Sequence, residues 1–218
     1  MKIGFFGGTF NPIHFGHLRA AEEIRTRLSF DRVIFIPSGT PPLKNSDLAD
    51  ARHRYRMTGL AISENPFFEL SDIELENGRK SYTVDTIEKL KERFPFRSVY
   101  FILGIDAFLD IPNWRLPEKL ISLIDFVVIP RPPFAFTDLS TSPYLDIDSD
   151  NHGKLAKPDT KSYGLKLKSG HEITVLPMPL LDISATRIRK LLKNGESIKY
   201  LLPAAVESYI IANKLYIS

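Results

Sequence analysis

The apolar positions of the chain fall into two alternating textures, short continuous runs and runs with a helical period. Residues Lys2 to Phe6 are apolar apart from the first and one glycine, and they end at Gly7-Gly8. That predicts a buried strand breaking into a tight turn. Leu18, Ala21, Ile24 and Leu28 then recur at helical spacing, which predicts a helix over about 16–29. A second strand is expected at 32–37, closed by the loop Ser38-Gly39-Thr40-Pro41-Pro42. Further along, the pattern predicts a helix at 51–63, an extended piece at 67–71 and a helix at 83–94. A strand is expected at 98–103 ending at Gly104, then a short helix at 117–124 and a strand at 125–130. Strands that are apolar on both faces and alternate with helices imply an α/β fold. The expected form is a doubly wound parallel sheet with helices on both faces, and ligands lie outside the carboxyl ends of such strands.

Between about 137 and 170 the texture changes. Asp138, Asp146, Asp148 and Asp150 come first, followed by Lys154, Lys157, Lys161, Lys166 and Lys168, with little periodicity. The segment is expected to be a polar surface excursion that returns as a hairpin through 165–167 and 172–176. Ser184 then stands at a helix start, a basic helix runs to Asn194-Gly195, and an apolar helix begins after Pro203. At 218 residues the chain is expected to be one Rossmann-like domain, 1–218, carrying that excursion.

Composition removes several classes of function. Hydrophobic residues make up 43% and charged residues 25%, enough to build a core and too apolar for a disordered chain. There is no cysteine, which excludes disulfides, a thiolate nucleophile and cysteine-based metal sites. The longest apolar runs are strand-sized, and too few residues precede Gly7 for a signal-peptide core, so the expected location is cytoplasmic with no membrane partner. A net charge of +3, from 29 basic and 26 acidic residues, is too mild to argue for nucleic acid.

The dinucleotide fingerprint G-x-G-x-x-G is missing after the first strand, and the Walker pattern is missing throughout. In their place the first strand leads into Gly7-Gly8-Thr9-Phe10-Asn11-Pro12-Ile13-His14-Phe15-Gly16-His17-Leu18. The glycines let backbone approach an anion, and the helix start behind them supplies unpaired N–H groups and a favourable dipole. His14 and His17 are three apart there, so both rings can face one ligand, and Gly16 leaves room for a flat base or ribose. Two histidines so spaced are in general more often caps or core residues; the surrounding strand, turn and helix start favour a ligand role. Zinc is disfavoured, because no third ligand is near.

Residues 7–18 resemble the nucleotide-binding signature of the nucleotidyltransferase superfamily that includes class I aminoacyl-tRNA synthetases. Asp182-Ile183-Ser184-Ala185-Thr186-Arg187-Ile188-Arg189 resembles the same superfamily's I-S-x-T-x-[IV]-R element. More narrowly, the chain is similar to the bacterial nicotinate-nucleotide adenylyltransferases. Three stretches carry that likeness: Pro41-Pro42-Leu43-Lys44, Lys80-Ser81-Tyr82-Thr83-Val84-Asp85-Thr86, and Gly104-Ile105-Asp106 followed by Trp114. The chain departs from the family pattern at Asn11 (usually Asp), Leu43 (often His), Ala185 (commonly Ser) and in the long stretch 137–170.

The resemblance implies transfer of the adenylyl group of ATP to nicotinate mononucleotide, with Mg²⁺ held mainly by the ATP phosphates. It implies that His17 stabilises charge on the α-phosphate and that His14 helps to hold the phosphates, with the backbone of Gly8, Thr9 and Phe10 along the nucleotide. Ser184, Thr186 and Arg187 would serve the β- and γ-phosphate end of ATP, Ile183 would also contact ATP, and Gly104 and Asp106 would hold its ribose. Lys44, Thr83, Asp106 and Trp114 would bind the mononucleotide, the lysine at its phosphate and the tryptophan under its ring. Arg189 and Lys190 are expected on a solvated basic face. A phosphopantetheine-type adenylyltransferase would share the histidines but leave the stretch 81–86 and Trp114 unexplained. A non-catalytic nucleotide sensor is the alternative from another class. The assembly expected is a monomer or a homodimer.

Overall fold

The computed structural model describes residues 1–39, 47–75, 81–95, 98–156, 161–179 and 181–217. In chain order the elements are β1 (Lys2–Gly8), α1 (Phe15–Arg27), β2 (Arg32–Pro37), α2 (Ala51–Ile62), β3 (Phe68–Leu70) and α3 (Thr83–Arg93). Then come β4 (Ser98–Gly104), α4 (Ile105–Leu109), a 3-10 turn (Ile111–Asn113), α5 (Pro117–Ile121) and β5 (Asp125–Ile129). A second 3-10 segment (Phe136–Thr141) leads to α6 (Ser149–Ala156), β6 (Tyr163–Lys166), β7 (Glu172–Val175), α7 (Ala185–Lys193) and α8 (Ala204–Ala212). Among the described residues the strands form one seven-stranded sheet in the order β3-β2-β1-β4-β5-β7-β6. The order reverses at β1, as in doubly wound sheets, and the carboxyl end of β1 is the Gly7-Gly8 turn. The expected α/β class is therefore the observed one.

The chain divides into two compact units, residues 1–6 with 82–179 and residues 7–81 with 180–218. In the first, β1, β4, β5 and β7 pair in parallel, and side chains on both faces of these strands, among them Ile3, Phe5, Ile102, Phe126, Val127 and Val175, are buried in the core. β6 is antiparallel to β7, so the expected hairpin closes this edge of the sheet. The expectation for 137–170 needs correcting. Leu139, Leu145, Leu155, Leu165 and Leu167 are all buried, and Leu145 bridges to Leu167 as an isolated pair. Scattered leucines among acidic and basic residues carry no period, yet each finds an apolar neighbourhood once the hairpin forms. The helix at 105–109 was likewise not legible, since five residues hold too little pattern.

In the second unit β2 pairs in parallel with β3, while α1, α2, α7 and α8 bring Ile24, Met57, Ile188, Val206 and Ile210 to its core. α2 carries an unusual core residue, Arg54, which is 1% exposed. No helix among the described residues is long and apolar enough to cross a membrane.

Candidate active site

Within the unit 7–81 with 180–218, the turn after β1 is built around Phe10. Its backbone is left-handed (φ 46°), and its ring is buried, edge-on to His17 at 5.1 Å and tilted on Phe35 at 5.7 Å. A Cβ on residue 8 would lie 2.9 Å from that ring, so only glycine lets the turn close over it. Thr9 is exposed above. The Phe10 side chain is thus the floor of the turn, and only its backbone is left to face a ligand.

At the start of α1 the rings of His14 and His17 stack with centroids 3.8 Å apart and planes 30° apart. His14 is buried and His17 half-buried. The backbone N–H of His14 donates to His17 Nδ1 at 3.3 Å, which leaves the neutral ring's proton on Nε2 and makes that atom a donor. A Cβ on residue 16 would lie 3.0 Å from the His14 ring and 3.5 Å from the Ile183 carbonyl, so the second predicted motif runs against this helix start. Ser184 caps α7, its Oγ accepting the Arg187 N–H at 3.2 Å. Ser184, Thr186 and Arg187 are exposed, and the Arg187 guanidinium has no hydrogen-bond or ion-pair partner among the described residues. Gly8, Thr9, Phe10, His14, His17, Ile183, Ser184, Thr186 and Arg187 therefore all belong to one unit. A groove of about 1050 Å³ opens in it too, beside Phe15, Leu18 and Ile183, but includes neither histidine.

Asn11 ties this turn to distant chain. Its Nδ2 donates to the Asp47 carbonyl at 2.9 Å, and its Oδ1 accepts from the Ala49 N–H at 3.1 Å and the Tyr216 hydroxyl at 2.7 Å. Its own carbonyl accepts from Arg189 Nη1 at 2.9 Å. Arg189 is thus a tether and not part of a solvated face, correcting the expectation; Lys190 is exposed as expected. Burial pushes the Tyr216 phenol well above its ordinary value of 10.0. Asp47 is held from the other side by Lys193 at 2.7 Å, which keeps its carboxyl below the usual range. Lys44, with the rest of 40–46, lies outside the described residues.

In the unit 1–6 with 82–179, Gly104 caps α4 with extended backbone, and Asp106 stands in the first turn. The Asp106 carboxylate lies 3.8 Å from Arg131, a pair whose two side chains are half exposed. Thr83 is the first residue of α3, and Tyr82 precedes it as the cap. Arg115 lies over the Tyr82 ring at 4.7 Å and reaches Asp85 at 3.2 Å. Trp114, half-buried, donates its indole N–H to Asp110 at 3.0 Å. Among the described residues no cluster of three or more His, Asp or Glu side chains could hold a metal.

A family model described as cytidylyltransferase-like matches residues 5–191. A protein of Geotalea daltonii named "Probable nicotinate-nucleotide adenylyltransferase" is 42% identical over 99% of this chain and 98% of its own length. One of the same name from Citrifermentans bemidjiense is 42% identical over 100% and 99%. The chain belongs to the nicotinate-nucleotide adenylyltransferase family. Its fold is also that of the nicotinic acid mononucleotide adenylyltransferase of Plasmodium falciparum solved with NaAD, at 24% identity and a TM-score of 0.72, covering 99% and 97% of the two chains.

Against the family pattern, Asn11 has a local reason: its amide N–H₂ donates to a carbonyl, which a carboxylate at that position could not do. Arg54, Asp110, Arg115, Arg131 and Arg189 were not predicted as site or site-supporting residues. Arg115, Arg131 and Arg189 reach partners far along the chain, whereas Asp110 bonds three and four residues on, a helical spacing that could have marked it. Only the charge of an arginine on an otherwise apolar helix face could have drawn attention to Arg54.

Proposed function

We propose that the chain joins nicotinate mononucleotide to the adenylyl group of ATP, releasing pyrophosphate and giving nicotinate adenine dinucleotide, a step of NAD biosynthesis. What supports this reading most is the likeness at 42% identity, over almost the full length of both chains, to relatives named for that activity. The chemistry is economical. An oxygen of the mononucleotide's 5′-phosphate attacks the α-phosphorus of ATP, and the bond from that phosphorus to the α,β-bridging oxygen breaks. The nucleophile is already an anion, so no general base is required, and catalysis consists of alignment and charge stabilisation. Mg²⁺ enters bound to the ATP phosphates, as part of the substrate.

The residues act by placing donors. His17 Nε2–H stabilises the charge that grows on the α-phosphate, and His14 braces the stacked ring. The backbone of Gly8, Thr9 and Phe10 runs along the nucleotide, with Ile183 beside its base. The Ser184 and Thr186 hydroxyls, the α7 start and the Arg187 guanidinium take the β- and γ-phosphates that leave as pyrophosphate. Gly104 and Asp106 take ribose hydroxyls, and Lys44 takes the mononucleotide phosphate. The first N–H groups of α3 near Thr83 take the nicotinate carboxylate, and Trp114 stacks on the pyridine ring. Chromatography of ATP and nicotinate mononucleotide incubated with the protein tests the reading: equal amounts of dinucleotide and pyrophosphate are expected. No dinucleotide, or turnover only when phosphopantetheine replaces the mononucleotide, would refute it.

A further inference from the structure

The chain has a single tryptophan, and the structure fixes it at its only polar side-chain atom. Trp114 Nε1 donates to Asp110 Oδ2 at 3.0 Å, while Oδ1 of the same carboxylate accepts from Asn113 Nδ2 at 2.8 Å. The backbone closes the same loop: the Asp110 carbonyl accepts the Asn113 N–H at 2.9 Å, and the Ile111 carbonyl accepts the Trp114 N–H at 2.9 Å. Ile111, fully buried, anchors this turn to the core of its unit. The next residue in the chain, Arg115, is held by the Tyr82 ring and by Asp85. A half-buried indole is therefore held by its own N–H, by its backbone and by its neighbour. Core packing alone does not require that, since a tryptophan that only filled space could leave its N–H to water.

We infer that Asp110 is a positioning residue of the mononucleotide site, acting through Trp114 on the pyridine ring; this rests on the stacking reading above. Two physical effects combine. A charge-assisted hydrogen bond removes the rotamer freedom that the indole would otherwise lose on stacking. The carboxylate also pushes electron density into the indole, deepening the negative face that attracts an electron-poor ring. The pyridine of the mononucleotide carries its positive charge at the ring nitrogen, so it is the kind of ring such a face prefers. Asp110 itself touches no reacting atom.

The test uses full-length protein and measures KM for each substrate, together with the fluorescence of Trp114 during titration with nicotinate mononucleotide. Asp110→Ala should raise KM for the mononucleotide roughly three- to tenfold, the scale of an ordinary hydrogen bond's net contribution, because the bond acts only through the orientation of the indole. KM for ATP and kcat should stay within about twofold, and the tryptophan anisotropy should fall. Asp110→Asn keeps an uncharged acceptor and should fall between, which preserves the test if the alanine variant folds poorly. In a Trp114→Phe background, which lacks the N–H, Asp110→Ala should add nothing further. An unchanged mononucleotide KM in Asp110→Ala and Asp110→Asn, beside a raised one in Trp114→Ala, would overturn the proposal alone. So would an equal loss with phenylalanine at 114, which would make Asp110 a mere turn cap. Trp114→Ala without effect on the mononucleotide KM would refute the stacking reading, and the proposal with it.

Discussion

Replacing Arg54 by methionine should destabilise the protein by about 2–4 kcal/mol, although methionine fills much of the same volume. The guanidinium is engaged on every side: Nε donates to the Ala49 carbonyl at 3.0 Å and Nη2 to the Gly39 carbonyl at 2.6 Å. Nη1 donates to the Thr9 carbonyl at 2.8 Å and to Ser38 Oγ at 3.3 Å. Gly39 is buried, so its carbonyl would lose its donor without gaining water, at about 1–3 kcal/mol. The Thr9 and Ala49 carbonyls are closer to solvent and should cost about 0.5–1.5 kcal/mol each. Against these stands relief of a charge whose burial already pushes the guanidinium below its ordinary pKa, which trims the total. Lysine keeps the charge but not the planar fork, and should lose about half as much. Urea denaturation of the three proteins measures this, with a fall in midpoint at constant slope. Because Thr9 belongs to the turn after β1, the methionine variant should also weaken ATP more than the mononucleotide. A midpoint shift worth less than about 0.5 kcal/mol would refute the reasoning, since it would mean that the carbonyls find other donors.

His17→Ala should lower kcat roughly 10²–10³-fold with ATP affinity nearly intact, the scale for one lost transition-state donor; a near-normal kcat in steady-state assays would remove it from the mechanism. Arg187→Ala should raise KM for ATP far more than for the mononucleotide, with lysine restoring only part, and equal rises in the two KM values would indicate a structural role. Arg115→Met leaves Asp85 unopposed in the first turn of α3, so the preference for the acid over the amide mononucleotide should fall roughly three- to tenfold. Asp85→Asn in that background should restore it, and a kcat/KM ratio indifferent to both changes would count against a charge effect. Burial pushes the Tyr163 phenol up to about 12 from 10.0, and its hydroxyl has no hydrogen-bond partner among the described residues. Between those values the unfolded chain sheds this proton and the folded chain keeps it, so stability falls as pH rises through the window. Tyr163→Phe should flatten that fall in Tm measured from pH 9 upward while costing nothing at pH 7; an equally steep fall would show that other groups set it.

The parts of the molecule that depend on near neighbours in sequence could be read from it. The strand, glycine turn and histidine pair from Gly7 to His17 lie within one stretch of chain, and so do Ser184 and the helix it caps. Apolar period placed β1, α1, β2 and α3 to within two residues. What escaped depends on distance along the chain. Nothing near Arg189 announces that its partner is the carbonyl of Asn11, and Arg54, set between Arg52 and Arg56, reads as one more solvated charge. Leu145 and Leu155 looked like chance apolar residues in a polar stretch because their burial comes from the hairpin and the 3-10 segment. For the site, the residue types were legible, whereas the groups that hold them still were not.

The position of Asn11 has a consequence for how the protein is born. Asn11 leaves the ribosome long before two of the groups that hold it, Arg189 and Tyr216, which lie 178 and 205 positions downstream. Until those two emerge, the turn from Gly8 to His14 has to wait with two of its four tethers unmade, even while α1 and β2 behind it can already pack. Ribosomes stalled short of residue 216 should therefore display a chain with its strands and helices largely in place and its nucleotide turn still unset. In this protein a segment made well before its tethers matures only when they arrive.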